Sequence, residues 1–556
     1  MRVLPVVLSL ACIVVPAAWA DSLPTFLRNN EAERNLPAAN LPADAYRPPV
    51  PALRVPGDKP APALQMGTRI AVHNLRIEGG TVYPLEELAA VYRPLVGREA
   101  NLAELIDATR RITQRYRDDG YLLSYAFLPN QRFESGLVRV VLVEGYVKDY
   151  QLTGDVGPVR GYLERLLENI RGERPLTRKT FERYTTLMSR APGITLSAQV
   201  APPTTTDGAT RLVASATRKP WNSSLNFTDG SRGDAQALLT LTGNSHTAVA
   251  EQLSVGALFP PGEDKERYYR VEYSQYLGSE GTQFGLFATR YRSEPRVNLR
   301  LENGLELARE RDNDRLSIGA SHPFVAAPDR WLSAGLRLYA VRDESRFAAL
   351  GFPLEVSTET DIRVLGLEAD WRKAGAGRLQ ILSGGIYQGI DGLGANSDTD
   401  LYDLDFLRLR LSGMQSDRFS EHWQGVMSAA LYWTADSLPD AEQALFGEQS
   451  FGRGYPSDQA SGDKGWGVAY EINYSFQRES RWLPFVQPYL VADAARTWFN
   501  RQAVQHSELS SAALGVRFGN PRYYNIALEA AKPMSDPALD SGNRRPRFLL
   551  SFSYQL

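Results

Sequence analysis

Two periodicities divide the chain. Between residues 69 and 216 the apolar positions fall three and four apart, the repeat of a helix with one buried side, interrupted by short alternating runs. From Trp221 to Leu556 they fall every second residue, the repeat of a strand with two unlike faces. Over the helical region a single order of elements occurs twice. Residues 69–78 read as a strand, Gly79 and Gly80 as a turn, and 84–95 as a helix with Leu85, Leu88, Ala89 and Leu95 on one side and Gly97 as its stop. Residues 101–119 read as a second helix. Asn101 and Glu104 have the spacing of a capping box, Leu102, Leu105, Ile106, Ile112 and Tyr116 form its stripe, and Gly120 ends it. Strands are expected at 122–128 and 137–144. The second unit has a strand at 147–152, helices at 159–170 and 177–189, and strands at 195–200 and 210–216. A β-α-α-β-β order thus recurs at about 75 residues, in pattern and not in residue identity.

The C-terminal region alternates. In 466–476, Trp466, Val468, Tyr470, Ile472, Tyr474 and Phe476 share one face, and Gly467, Ala469, Glu471, Asn473 and Ser475 the other. Leu407, Leu409 and Leu411 alternate with Arg408 and Arg410, and the last strand sets Phe548, Leu550, Phe552 and Tyr554 on one face. Connections after even-numbered strands are short (278–281, 373–377, 478–484, 519–522). Those after odd-numbered strands are mostly long (293–312, 342–358, 390–400, 437–465, 535–546). A soluble sandwich covers its apolar faces with a second sheet and has no need of that asymmetry. Short turns on one rim and long loops on the other are the plan of a membrane barrel. The expected fold is β-dominated: a transmembrane antiparallel β-barrel of about sixteen strands over 218–556, preceded by two small α+β domains at 67–145 and 146–217.

The N-terminus adds a compartment. Met1-Arg2, an apolar stretch from Val3 to Pro16 and Ala18-Trp19-Ala20 make residues 1–20 a secretory signal with an A-x-A cleavage site. Cys12 is the only cysteine. It follows Ser9-Leu10-Ala11, a weak lipoprotein match that the later cleavage site outweighs, so the exported chain carries no thiol. Past Ala20 no apolar run approaches the roughly 20 residues of a spanning helix, which leaves a soluble protein or a barrel. Residues 21–66 hold a short helix at 21–34, with Leu23, Phe26 and Leu27 on one side, or a tail in its place. A Pro-rich stretch at 36–64 then reads as an extended linker. A formal net charge of −2 gives no electrostatic case for nucleic acid.

The longest turn-rich interval contains Ser450-Phe451-Gly452-Arg453-Gly454-Tyr455, an arginine between two glycines beside aromatics. Leader, Pro-rich stretch, two β-α-α-β-β units, a sixteen-strand barrel and this loop before the twelfth strand together resemble the TpsB transporters of two-partner secretion, across essentially the whole mature chain. The units resemble POTRA domains, and Gly120-Tyr121 falls where the first of them usually has Gly-Tyr. The family's loop motif is Val-Arg-Gly-Tyr/Phe. Arg453, Gly454 and Tyr455 match it, and Gly452 stands in place of the valine. The resemblance implies that Arg453 reaches into the lumen and pairs with Asp493, in Pro488-Tyr489-Leu490-Val491-Ala492-Asp493-Ala494-Ala495, where Ala495 replaces a common glycine. Strand parity independently turns Asp493 to the lumen, together with Glu471, a secondary partner for the arginine. The family's plug helix is longer than 21–34.

The resemblance implies an outer-membrane pore of a Gram-negative bacterium with its POTRA domains in the periplasm. Its partners would be outer-membrane lipid, the barrel-assembly machinery and a large secreted exoprotein with an N-terminal secretion domain. Capture would use the strand edges at Leu122, Tyr125 and Leu128 or at Thr195 and Val200. No nucleotide motif is present, so export would be driven by folding of the client outside. A barrel-assembly or insertion factor shares the plan and is the alternative; two units and the Pro-rich stretch favour export. No cofactor, metal or catalytic site is expected. The five histidines (His73, His246, His322, His422, His506) lack metal spacing, no hydrolase, Walker or Rossmann motif occurs, and Arg232-Gly233-Asp234 reads as a chance tripeptide. The client, whether adhesin, haemolysin or growth inhibitor, stays open.

Overall fold

The structure, a computed structural model, describes residues 27, 36–46, 69–229, 235–262, 264–295, 299–300, 306–349, 353, 355–448, 451–457, 459–501, 507–520 and 522–556. The expected leader, the helix at 21–34 apart from Leu27, the later part of the Pro-rich stretch and the Arg-Gly-Asp tripeptide lie outside these residues. The chain divides into two compact units.

The first unit begins with β1 (Arg69–Ala71), β2 (Asn74–Glu78), α1 (Leu85–Ala90), β3 (Glu99–Asn101), α2 (Leu102–Asp118), β4 (Tyr125–Phe127) and β5 (Leu137–Val143). β2 and β5 run parallel, with β4 antiparallel at the edge. The stripe of α2 is buried with Leu88, Val138, Val140 and Leu142. The Asn101 side chain accepts the Glu104 amide at 2.8 Å and the Glu104 carboxylate accepts the Asn101 amide at 3.0 Å, both halves of the capping box. The helix expected at 84–95 is regular only to Ala90, because Pro94 has no N–H to continue it. The strand expected at 122–128 shrinks to three residues, since Tyr121–Ser124 closes a turn.

A second module follows in the same unit: β6 (Tyr146–Thr153), α3 (Arg160–Gly172), α4 (Arg178–Ser189), β7 (Ile194–Val200) and β8 (Ala209–Arg218). Its sheet runs β6-β8-β7, with β6 and β8 parallel and β7 at the edge. Tyr162, Leu163, Leu166, Leu167 and Ile170 of α3 are buried, as are Phe181, Leu187 and Met188 of α4.

The second unit is a closed antiparallel barrel of sixteen strands. They are β9 (Trp221–Asp229), β10 (Gln236–Asn244), β11 (Gln252–Phe259), β12 (Arg267–Leu277), β13 (Thr282–Ser293), β14 (Glu306–Ala326), β15 (Arg330–Ala349) and β16 (Glu355–Ala374), then β17 (Arg378–Gly389), β18 (Leu407–Arg418), β19 (Trp423–Thr434), β20 (Lys464–Tyr474), β21 (Phe485–Trp498), β22 (Ser507–Asn520), β23 (Tyr524–Pro533) and β24 (Arg547–Gln555). β24 closes on β9 in the register Asp229↔Leu550 to Ser224↔Gln555. Alternation sorts the faces. Leu316, Leu336, Leu367 and Leu514 face outward and are exposed, whereas Arg315, Arg408, Arg410 and Arg517 face the lumen and are buried.

β14, β15 and β16 are 21, 20 and 20 residues long, against 12 for β13 and for β17. About 9–11 residues cross a bilayer. Beyond Leu316, Leu338 and Leu365 the outward positions turn to Glu310, Asp312, Arg342, Glu344, Glu359 and Asp361, and pairs such as Arg342–Glu359 (2.7 Å) lace them. The connection expected at 342–358 is therefore mostly strand, since charged alternation reads like loop in a sequence.

The Pro-rich stretch also departs from expectation. Residues 36–46 are packed inside the barrel, ending in a 3₁₀ turn at Ala43–Tyr46. Leu36 packs with Leu238, Leu258 and Tyr268, and Leu41, Ala43 and Tyr46 with Leu379, Ile381, Met414 and Val426. This strap spans from the wall of β10–β12 to that of β17–β19. The apolar positions spaced among its prolines mark it as more than a linker.

Candidate functional site

The loop between β19 and β20 folds back into the barrel. Ala444–Phe446 pairs with Ala460–Gly462, and Phe451 and Tyr455 are buried beneath the turn. Glycine is required where the loop meets the wall. A Cβ on Gly454 would lie 2.5 Å from the Pro533 nitrogen, and one on Gly467 would lie 2.6 Å from the Phe451 ring. Gly452 has φ +96°, which turns two successive amides to the same side.

Those amides take Asp493. The Gly452 N–H donates to Oδ1 at 2.8 Å, the Arg453 N–H to Oδ2 at 3.3 Å, and the Ser511 hydroxyl to Oδ1 at 2.7 Å. The guanidinium of Arg453 passes on to Glu529 of β23, at 2.5 Å, and the Tyr489 hydroxyl donates to the same Glu529 oxygen at 2.8 Å. The expected side-chain pair Arg453–Asp493 is thus not the one formed, because backbone donors fill Asp493 first. Glu471 is not a partner of Arg453 either. It forms a two-pronged pair with Arg517, 2.6 Å on each side, and that guanidinium lies 3.9 Å from the centre of the Tyr489 ring. The Tyr455 hydroxyl reaches the Ser510 carbonyl at 3.3 Å.

Sequence reasoning missed Glu529, Tyr489 and Arg517. Glu529 carried a signal: it is the one carboxylate among Asn525, Ala527 and Ala531, the positions of β23 that share its parity.

The strap joins this network through Asn40. Its Nδ2 donates to the Tyr489 hydroxyl at 3.1 Å, its Oδ1 accepts from Arg517 Nε at 2.6 Å, and its carbonyl accepts from Asn525 at 2.9 Å. Four residues on, Asp44 pairs with Arg418 at 2.7 Å. Tyr489 therefore touches the segment that precedes the first unit directly and is linked to Arg453 through the Glu529 oxygen they share.

The two expected capture edges fare differently. In β4 the outward backbone of Ala126 is taken by α2: its N–H donates to Thr113 Oγ1 at 3.0 Å, and the Thr113 hydroxyl donates to its carbonyl at 3.3 Å. Leu122 lies in the preceding turn, the Tyr125 hydroxyl bonds the Pro203 carbonyl at 3.2 Å, and Leu128 packs on the core. That edge is covered. β7 stands at its sheet edge with Thr195, Ser197 and Gln199 exposed, while the Val200 side chain is buried. At the end of β5 in the first module, the Glu144 carboxylate accepts from the Thr81 and Val82 amides, the Thr81 hydroxyl and the Tyr116 hydroxyl. Burial pushes this carboxyl up, but the Thr81, Val82 and Tyr116 donors outweigh it and hold the group below the usual carboxylate range.

Among the described residues no cluster of His, Cys, Asp or Glu has metal-site geometry, and no helix is long and apolar enough to cross a membrane. Among the described residues, the arrangement is a barrel whose lumen holds two of its own segments by apolar and polar contacts. Comparison with known proteins places it. Residues 70–145 match the family model of the ShlB-type POTRA domain, and 208–518 that of the haemolysin secretion/activation protein ShlB/FhaC/HecB. The heme/hemopexin transporter protein HuxB of Haemophilus influenzae strain 86-028NP is 21% identical over 493 residues, covering 84% of this chain and 83% of that protein. In fold the chain is similar to CdiB from Escherichia coli, with TM-score 0.70 at 18% identity over 90% of this chain and 93% of that one. It is also similar to CdiB from Acinetobacter baumannii, with TM-score 0.61 at 13% identity over 91% and 95%. With an outer-membrane barrel, a ShlB-type POTRA domain and a family match over more than half its length, the chain belongs to the ShlB/FhaC/HecB family, the transporters of two-partner secretion.

Proposed function

We propose that the chain exports an unfolded periplasmic exoprotein through its barrel, and that its loop and strap close the lumen until a client displaces them. The observation that carries this reading is how the lumen is filled. The two segments meet the wall through apolar packing and through hydrogen bonds and ion pairs, and an entering extended chain or water can replace the polar contacts. In this reading the POTRA modules lie in the periplasm and the long connections face outside. The client adds a strand to β7, main chain to main chain, because the edge of the first module is already covered. Export needs no nucleotide hydrolysis and draws on the client's folding outside. HuxB is described as a heme/hemopexin transporter protein, so a client of that class is the first to test here.

The test is a comparison of culture-supernatant proteins from cells with the intact transporter and with residues 67–216 deleted, at equal barrel levels. One large exoprotein should disappear from the deletion culture. Unchanged secretion would remove the modules from the mechanism, and defective assembly of unrelated outer-membrane barrels would favour an insertion factor.

A further inference from the structure

The loop that carries Arg453 meets a second wall of the barrel. Its first limb, after β19, makes a 3₁₀ turn at Asp440–Glu442, and Glu442 is fully buried. One oxygen of its carboxylate accepts from Arg315 of β14 at 3.2 Å. The other accepts from Arg408 of β18 at 2.8 Å and from the Tyr339 hydroxyl of β15 at 2.8 Å. The arginines also hold the backbone of the turn. Arg408 donates to the Glu442 carbonyl at 3.1 Å and Arg315 to that of Ala441 at 3.4 Å. Both guanidinium groups lie on aromatic rings, Arg315 on Tyr339 at 4.9 Å and Arg408 on Tyr387 at 4.4 Å. Next to this, Leu438 is buried among Tyr339, Val341, Ile362, Val364, Tyr387 and Phe406. This cluster shares no residue with the network of Asp493, Glu529 and Tyr489.

The two attachments differ in kind. At the Glu442 side the loop supplies the anion, two cations from the wall converge on it, and an apolar cluster seals it. At the Arg453 side the loop supplies one cation and two amides, and the arginine side chain keeps more exposure (15% against 7% and 2% for Arg315 and Arg408). A buried carboxylate with both oxygens occupied by arginines is costly to open, because each charged partner would lose its buried counter-charge.

We propose that Glu442 is the positioning residue that anchors the lumen loop, and that only the Arg453 limb swings when the pore opens. This rests on the export reading for its purpose, since it places the client's route along β21–β23 and not along β14–β18. The anchoring itself is a property of the resting protein.

The experiment uses the full chain in outer membranes without client. Beyond the expected leader the chain has no cysteine, so single thiols can be introduced by Leu438→Cys on the anchored limb and by Ala460→Cys on the swinging limb. Labelling by a membrane-impermeant maleimide reads loop position, and heat-modifiable gel mobility reads barrel folding. Glu442→Ala should raise labelling at 438 by about tenfold or more, the size of a lost charge-assisted bond, with the folded band retained. Arg453→Ala should raise labelling at 460 and leave 438 protected. Equal protection at 438 in folded Glu442→Ala would overturn the anchor. Exposure of 438 by Arg453→Ala would overturn the division into a fixed and a moving limb. Should Glu442→Ala yield no folded barrel, Tyr339→Phe removes one donor only and must still expose 438 more than 460, or the proposal falls. Because no client is present, failure of the export reading would leave these rates unchanged.

Discussion

Among the described residues the Arg453 side chain bonds Glu529, whose carboxylate is buried, so its replacement does more than delete a charge. Arg453→Ala leaves Glu529 buried beside Tyr489 alone, a loss of about 3 kcal/mol or more in docking the loop. Secretion per cell should fall sharply while the barrel still shows heat-modifiable mobility. Arg453→Lys should restore little, because an ammonium cannot reach as far or keep the same plane. Glu529→Gln should resemble Arg453→Ala, and the double variant should be little worse than either, which a secretion-rate cycle would read. Asp493→Asn should act separately, through the two amides it holds, and combine with Glu529→Gln nearly additively. In the first module, Glu144→Gln should lower unfolding stability of residues 69–218 in urea by about 1–3 kcal/mol at neutral pH, by loss of charge-assisted bonds. The folded-state carboxyl titrates below its ordinary range. Its contribution is therefore present above the unfolded value and fades as pH falls through the folded one, and wild type and variant should converge in acid. Of this chemistry, the motif Arg453-Gly454-Tyr455 and the inward parity of Asp493 and Glu471 were legible in the sequence. The partner was not, because inward carboxylates lie on three strands of one wall, β20, β21 and β23, and parity cannot say which one a long side chain reaches.

At the scale of elements, the helices and most barrel strands could be read because their periods are long and clean: α2 with its capping box, α3 with its stripe, β20 and β21 with opposite faces. The misread elements have definite causes. The strand at β4 is cut short by a turn that looks like strand in its apolar content. Beyond Leu338 and Leu365, β15 and β16 carry Arg342, Glu344, Glu359 and Asp361 where apolar outward residues would mark a strand, and so resemble loop. A tag inserted at Pro353, between these strands, should be labelled on intact cells, and one at Gly375 should not; labelling of Gly375 would invert the barrel. The edges make a second prediction. A photo-crosslinker at Ser197 on β7 should capture client in the periplasm, and one at Tyr125 on β4 should not, because Thr113 already occupies the backbone there. Equal capture at both sites would mean that the client reads faces and not edges.

The barrel is a sheet closed on itself, so no strand edge of its wall is free to recruit a partner, and what it can offer is its interior. Among the described residues that interior is claimed by two segments far apart in sequence, and one phenol stands between them. The Tyr489 hydroxyl donates a hydrogen bond to Glu529, which also takes Arg453, and accepts one from Asn40, so the loop and the strap are coupled through one wall residue pair. Such sharing is reciprocal by thermodynamic necessity: if the docked strap tightens the loop by some factor, the docked loop tightens the strap by the same factor. Channel recordings of the reconstituted full chain offer the measure. Asn40→Ala and Arg453→Ala should each lengthen open times, and in a Tyr489→Phe background the two effects should become independent. A transporter wired in this way has no need of a sensor for its cargo, since whatever pulls on either segment lowers the hold on both.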